Sequence, residues 1–184
     1  MSESTPPIGF LTVVQHEVHG HFGGYLVLNA NGRPVEFHCT APVKPNRAQE
    51  ILYGPTLEPY LYGEQIGQTL INKSKTTPMA VCTDLVGVLA AREFVSLPVV
   101  FVAANGDGPS ASTESARKVR IDPAHSSAEL ISFELGRNRV AVSARHPRDR
   151  AELDCLSSFA GSFDLAEPFE RIRSAIEEAQ RAGR

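Results

Sequence analysis

The most regular alternation of apolar and polar residues flanks the Asn-Gly pair at positions 31 and 32. Alternation with a period of two predicts β-strands that bury one face. An Asn-Gly pair between two such runs is typical of a two-residue hairpin turn, because both residues tolerate positive φ. This turn would pair Leu28 with Val35 and Leu26 with Phe37 on one face of the hairpin.

A further strand precedes this hairpin and completes a meander. Residues 9–18 are rich in Val, Leu, Phe and Thr, which favour strands. We therefore expect a three-stranded antiparallel meander over residues 9–40. Pro34 has no N–H to donate to another strand, so the outer side of the hairpin is predicted to be a sheet edge. Cys39 and Cys82 fall at apolar positions and are predicted to be small core residues.

Helical periodicity appears in the middle of the chain. Tyr62, Ile66 and Leu70 recur at i, i+4 and i+8, which is typical of a helix that buries one face. Gly63 and Gly67 lie beside this stripe, and we expect them to allow close backbone packing. The predicted central elements are a short helix over 46–53, a longer helix over 59–75, and a short β-α-β unit made of residues 79–83, 84–93 and 95–104.

Three strands and two helices are predicted in the C-terminal part. The strands are expected over 116–121, 128–135 and 139–145, and the helices are expected to begin at Pro147 and Pro168. Leu153 and Leu156 would face inward in the first helix, and Phe169, Ile172, Ile176 and Ala179 would form the apolar stripe of the second.

The predicted fold class is α+β. It comprises an N-terminal antiparallel β-meander, central helices with a short β-α-β unit, and C-terminal strands with two closing helices. The chain of 184 residues is expected to form a single domain over 1–184. The loop over 105–114 is rich in Gly, Ser and other turn residues, so a subdivision into 1–104 and 115–184 is the alternative.

Composition narrows the functional classes. The formal net charge of −3 creates no overall field that would attract nucleic acid or an anionic membrane, so such a partner would need a local patch. Three widely spaced cysteines indicate neither a disulfide framework nor a thiolate zinc site. The longest apolar stretch, over 97–104, is far too short to cross a bilayer. We therefore expect a cytoplasmic protein that does not contact membranes.

A group of histidines is one candidate for chemistry. His16, His19 and His21 lie close together in the sequence, and His38 lies on the neighbouring hairpin. Imidazoles on adjoining strands can bind zinc or another divalent metal, which would support a metal-dependent hydrolase or nuclease. The spacing differs from the helical H-E-x-x-H pattern, and solvated histidines at a strand end without any cofactor are the alternative.

Basic residues are concentrated between residues 115 and 150, where they outnumber acidic residues eight to four. Such an excess is typical of a face that binds nucleic acid or phosphate. The residues considered for this nucleic-acid-binding module are Arg137, Arg139, Arg145 and Arg148. Phe133 is the one aromatic residue of this segment, so little is available to stack on bases, and a solvated sheet face is the alternative.

Prolines and tyrosines gather in the segment that follows the meander. Three prolines near three tyrosines and Arg47 make a stiff amphipathic surface, and Arg and Tyr are frequent anchors of protein interfaces. The predicted partner-binding residues are Arg47, Tyr53, Tyr60 and Tyr62. A rigid crossover from sheet to helix is the alternative. Other protein subunits or a second copy of the chain would be the partners.

Residues 23–29 (GGYLVLN), 33–37 (RPVEF) and 51–54 (ILYG) resemble an uncharacterised bacterial protein family over residues 9–104. The resemblance implies a bacterial origin and no reaction. Because no constellation of nucleophile, base and metal ligands is evident, the leading hypothesis is a non-enzymatic protein-interaction or accessory subunit of a bacterial multiprotein assembly. The metal-dependent hydrolase or nuclease and the nucleic-acid-binding module are the alternatives.

Overall fold

A seven-stranded mixed sheet organises the chain in the computed structural model, which describes residues 6–103 and 129–182. The strands are β1 Ile8–His16, β2 Gly20–Leu28, β3 Pro34–Cys39, β4 Val81–Thr83, β5 Val99–Val102, β6 Leu130–Leu135 and β7 Asn138–Ser143. The helices are α1 Arg47–Tyr53, α2 over 57–73, α3 over 149–162 and α4 Glu167–Ala182, with a 3₁₀ helix at Val86–Glu93. The predicted α+β class is confirmed.

The strand order across the sheet is β3-β2-β1-β4-β5-β7-β6. The strands β1, β4 and β5 run parallel to one another, whereas every other neighbouring pair is antiparallel. The predicted meander is confirmed as β1, β2 and β3, and β3 lies at a sheet edge as Pro34 indicated. The predicted β-α-β unit is confirmed as β4, the 3₁₀ helix and β5. The strand predicted over 116–121 lies outside the described residues.

Alternation along β1 separates two hydrophobic layers. Phe10 faces the layer that α3 and α4 cover, and its ring lies 5.8 Å from that of Phe169 in α4. Leu11 faces the opposite layer, where it packs with Ile66 and Leu70 of α2. The predicted inward positions of α3 and α4 are confirmed with one exception. Ala179 is exposed, because the buried stripe of α4 ends at Ile176.

The β2–β3 hairpin differs from its prediction at the turn. The side chain of Asn29 accepts hydrogen bonds from the backbone N–H groups of Asn31 and Arg33, at 3.0 Å each. The backbone N–H of Asn29 also donates to the carbonyl oxygen of Arg33 at 3.0 Å, which closes a loop of three residues, 30–32, instead of two, and a bulge follows in the ladder. Leu26 pairs with Phe37 as predicted, but Leu28 pairs with Pro34 instead of Val35, which leaves Val35 51% exposed.

Two cysteines have different environments. Cys82 is fully buried in β4, as predicted, and burial raises the pKa of its thiol to about 12. Cys39 is exposed, so its prediction as a core residue is wrong. It lies at the end of the edge strand β3, where burial alternates between intermediate and exposed residues.

The helix α2 packs closely on the 3₁₀ helix at its two glycines, as predicted. A Cβ on Gly63 would lie 2.6 Å from the Cβ of Ala90 and 2.8 Å from the backbone nitrogen of Ala91. The central part of α2, Tyr60–Gln68, is a π-helix. π-Helical turns are rare and are frequently found at functional sites. No helix in the described ranges is long and apolar enough to cross a membrane.

Candidate functional site

The strand order places a topological switch between β1 and β4. From β1 the chain continues to β2 on one side, whereas β4 leads to β5 on the other side. In open sheets with parallel strands, ligands bind outside the carboxyl ends of the strands at such a switch. We call this side of the sheet the carboxyl edge. It contains the ends of β1, β4 and β5, the start of β2, and the turn between β6 and β7.

A histidine and a tyrosine meet at the carboxyl edge. His21 Nδ1 lies 3.2 Å from the hydroxyl oxygen of Tyr62, and the two ring centroids are 5.4 Å apart. Gly87 makes room beside them, because a Cβ there would lie 2.9 Å from Glu58 Oε1 and 3.2 Å from the Tyr62 ring. We call His21, Tyr62, Glu58 and Gly87 the His21 cluster.

Burial and the carboxylate of Glu58 shift the pKa values of His21 and Tyr62. Partial burial lowers the pKa of His21, and the negative charge of Glu58 opposes this effect in part. Burial raises the pKa of the Tyr62 hydroxyl, and Glu58 raises it further. His21 is therefore neutral and Tyr62 is protonated at neutral pH. The negative charge of Glu58 raises the pKa of both residues.

Two backbone elements hold the cluster in place. The N–H and C=O of His21 both bond to Val43, at 2.8 Å each, so the start of β2 is fixed to the segment that follows β3. Tyr62 lies in the π-helical part of α2, which Gly63 anchors against the 3₁₀ helix. The sequence patterns single out His21 and Tyr62 for different roles and do not single out Glu58 or Gly87. No local signal joins residues that are 41 positions apart.

An acidic residue follows β4 at the same edge. Asp84 pairs with Arg173 of α4, and Arg173 also bonds to Glu170 at 2.7 Å. Within the described part of the chain, Asp84 Oδ1 and the buried hydroxyl of Thr12 have no hydrogen-bond partner. The positive charge of the Arg173 guanidinium offsets the negative charge of the Asp84 carboxylate. Asp84 Oδ1 is therefore a weaker ligand for a cation.

The structure does not bring the four predicted metal ligands together. The rings of His16 and His19 lie 4.6 Å apart, and His16 Nδ1 accepts backbone hydrogen bonds in its own turn. His38 pairs with Tyr25, four residues along β2 from His21, which is about 13 Å of strand. No group of three His, Cys, Asp or Glu side chains in residues 6–103 and 129–182 is placed to hold a metal ion.

His38 instead takes part in a structural contact. It bonds to Glu36, whose carboxylate also accepts the N–H groups of Lys75 at 2.9 Å and Thr76 at 3.0 Å and the hydroxyl of Ser74 at 2.9 Å. The bond from Lys75 and then that from His38 hold the pKa of Glu36 well below its usual range. This contact fastens the edge strand β3 to the segment after α2.

The four predicted arginines are divided between two sides of the sheet. Arg137 and Arg139 lie at the turn between β6 and β7, where the backbone oxygen of Arg139 accepts from Ala103 beyond β5. Both are therefore at the carboxyl edge. Arg145 and Arg148 follow β7 at the opposite edge, and Arg145 lies 3.8 Å from Glu93. All four side chains are on exposed residues.

The predicted partner-binding residues are also divided. Tyr62 belongs to the His21 cluster. Tyr53 and Tyr60 stack on each other with centroids 3.9 Å apart, and Arg47, 82% exposed, pairs with Glu50 within α1. The four residues do not form one continuous contact, because Tyr62 faces β2 whereas Tyr53 and Tyr60 close on each other.

No protein-family model matches the chain, and neither does any curated protein. Among solved structures, the catalytic domain of human Endonuclease V is 15% identical, with a TM-score of 0.53 over 99% of this chain and 85% of that one. Another structure of human Endonuclease V is 15% identical, with a TM-score of 0.50 over 97% of this chain and 86% of that one. Endonuclease V of Ciona intestinalis in complex with DNA is 16% identical, with a TM-score of 0.35. The chain spans 47% of the length of that protein.

The two human structures show that the chain shares the fold of Endonuclease V. This finding contradicts the prediction of a protein-interaction module, because the matched architecture is that of a nuclease and extends over nearly the whole chain. That prediction relied on the absence of a recognisable catalytic pattern in the sequence. The members of the His21 cluster come from β2, α2 and the 3₁₀ helix, so no local pattern of the sequence joins them.

Proposed function

We propose that the protein binds a nucleic-acid strand along the carboxyl edge of its sheet. The observation that carries this proposal is that Arg137, Arg139 and the His21 cluster lie on one edge, at the topological switch of a sheet with a nuclease fold. This proposal keeps the nucleic-acid-binding function predicted for the arginines. It changes the surface, because only two of the four arginines belong to it.

The dimensions of the edge suit an extended strand. His21 is on β2 and Arg139 on β7, which are four strand spacings apart, or about 19 Å. A stretch of several nucleotides can therefore contact both ends. Nucleic acid contributes one phosphate charge per nucleotide, and guanidinium groups recognise phosphates in a bidentate geometry. Neither Arg137 nor Arg148 has a carboxylate partner among the described residues, whereas Arg139 lies 3.3 Å from Glu134.

The opposite edge supplies a matched control. Arg145 and Arg148 carry the same charge as Arg137 and Arg139 and are also exposed, but they lie at the other end of β7. Two double variants, R137A/R139A and R145A/R148A, therefore change the net charge by the same amount at two different places. A difference between them reports the position of the nucleic acid and not the overall charge.

Binding is measured by fluorescence anisotropy with labelled single-stranded RNA and DNA of 20 nucleotides, titrated at several salt concentrations. The logarithm of affinity should fall linearly with the logarithm of salt. The slope for R137A/R139A should be smaller by about 1.4, which is two lost phosphate contacts at 0.7 each for single strands. R145A/R148A should keep the original slope. No binding by the unmodified protein, or an equal loss in both variants, would refute the proposal.

Nuclease activity is also supported by the shared fold, and we propose that it be assayed in the same samples with and without EDTA. The sequence predicts His16, His19, His21 and His38 as ligands of zinc or another divalent metal. Their placement in the structure does not form a common ligand set. Cleavage that persists in EDTA, or metal-dependent cleavage that His19→Ala leaves unchanged, would exclude a metal bound at these histidines.

A further inference from the structure

We propose that the guanidinium of Arg173, which Asp84 holds at the carboxyl edge, contacts a phosphate of the bound strand in place of a divalent cation. This inference rests on the proposed function, because it requires a nucleic-acid strand along that edge. It adds a phosphate contact at the centre of the edge, and it makes binding independent of divalent metal ions.

Thr12 in β1 and Asp84 after β4 lie side by side at the topological switch. Leu11 pairs with Thr83 in the parallel ladder of β1 and β4, so the residues that follow them are neighbours on one face of the sheet. The helix α4 covers this face, and Arg173 reaches Asp84 from it. A hydroxyl and a carboxylate therefore come from the two strands that flank the switch.

This pair of donors suits a guanidinium better than a divalent cation. Divalent cations that act on phosphates are held by carboxylates. Here β1 supplies the neutral hydroxyl of Thr12, which is fully buried, and the carboxylate of Asp84 is already paired with Arg173. The positive charge that a metal ion would present to a phosphate is therefore supplied by a side chain of the protein.

The two carboxylate partners of Arg173 differ in their exposure to water. The Asp84 side chain is 17% exposed, so its bond to Arg173 is shielded and fixes the orientation of the guanidinium. The Glu170 side chain is 76% exposed, and its bond to Arg173 is a surface ion pair of little net energy. A phosphate can displace Glu170 while Asp84 stays bound, because the guanidinium fork carries several N–H donors.

Arg173 also occupies the right place along the carboxyl edge. Asp84 follows β4, which lies two strand spacings, or about 10 Å, from β2 and from β7. His21 is on β2, and Arg139 is on β7. A nucleic-acid strand that contacts both ends of the edge therefore passes the Asp84–Arg173 pair midway.

The test measures binding of labelled single-stranded RNA by fluorescence anisotropy, in EDTA and at several salt concentrations. Arg173→Gln should reduce the slope of log affinity against log salt by about 0.7, which is one lost phosphate contact for single strands. Arg173→Lys keeps the charge and should keep the slope. The matched control is Arg171→Gln, which removes the same charge from α4. Arg171 is 38% exposed and bonds to Gly32 at the opposite edge, so the slope should not change.

Asp84→Asn distinguishes the guanidinium from a metal ion held by the carboxylate. The amide oxygen still accepts from Arg173, and a negative charge near the phosphate is removed, so this variant should bind about fivefold more tightly. A carboxylate that held a divalent cation for binding would give the opposite result. The double variant D84N/R173Q should have the slope of Arg173→Gln. It leaves no unpaired carboxylate at position 84, so it tests the inference even if thermal unfolding shows that Arg173→Gln is not folded.

The outcomes separate the two proposals. A reduced slope in R137A/R139A with the original slope in D84N/R173Q would overturn this inference and leave the proposed function intact. Binding that EDTA abolishes and Mg²⁺ restores, or weaker binding in Asp84→Asn, would also overturn the inference alone. An equal reduction in Arg171→Gln would show an effect of overall charge and would refute it. Absence of binding by the original protein would overturn both proposals.

Discussion

Substitution of Gly63 by alanine tests whether the close contact between α2 and the 3₁₀ helix holds the π-helical stretch of α2 in place. The added Cβ would lie 2.6 Å from the Cβ of Ala90 and 2.8 Å from the backbone nitrogen of Ala91. Both distances are shorter than such contacts allow, and the second atom belongs to the backbone. The two helices must therefore separate.

Two opposing effects set the magnitude. Alanine is favoured over glycine inside a helix by about 1 kcal/mol, which would stabilise the variant. Overpacking a tight contact costs about 1–3 kcal/mol, and the upper part of this range applies where backbone atoms must move. The net expectation is a destabilisation of about 1–2 kcal/mol. For a chain of this length, that loss lowers Tm by about 2–8 °C.

Chemical denaturation followed by circular dichroism measures this effect, with Gly161→Ala as the control. Gly161 is also helical, but a Cβ there would meet nothing within 4 Å. Gly161→Ala should therefore be neutral or more stable than the original protein. If Gly63→Ala were as stable as Gly161→Ala, the close contact would not exist and the account of α2 would be wrong.

Two further predictions concern charged groups. Glu36 has a lowered pKa, so its contribution to stability is present above its ordinary pKa of about 4.3 and is lost as the pH falls below that value. The denaturation midpoint should therefore fall between pH 5 and pH 3 more steeply in the original protein than in Glu36→Gln, and equal slopes would contradict the contact with Lys75. Arg92 bonds to Asp149, which is 2% exposed, at 2.8 Å and 3.1 Å. Arg92→Ala should cost about 3–5 kcal/mol because it leaves a buried carboxylate unpaired, whereas a loss below about 1 kcal/mol, measured by urea denaturation, would show that Asp149 is solvated.

The local patterns of the sequence determined the elements that bury one face. The alternation around positions 31 and 32 predicted the β2–β3 hairpin, and the pairing of Leu26 with Phe37 is as expected. The helical stripe of Ile66 and Leu70 is buried, as is that of α4 up to Ile176. These predictions succeed because burial of apolar side chains depends on periodicity within a single element.

Only the tertiary structure decided the strand order and the site. Placing β4 beside β1 and β7 beside β5 joins residues that no local pattern connects. The same is true of His21 with Tyr62, 41 positions apart, and of Asp84 with Arg173, 89 positions apart. The hairpin turn was mispredicted because the side chain of Asn29 competes for the backbone of its own loop. Periodicity specifies which face of an element is buried, whereas the partners of that face depend on how the whole chain closes around its two hydrophobic layers.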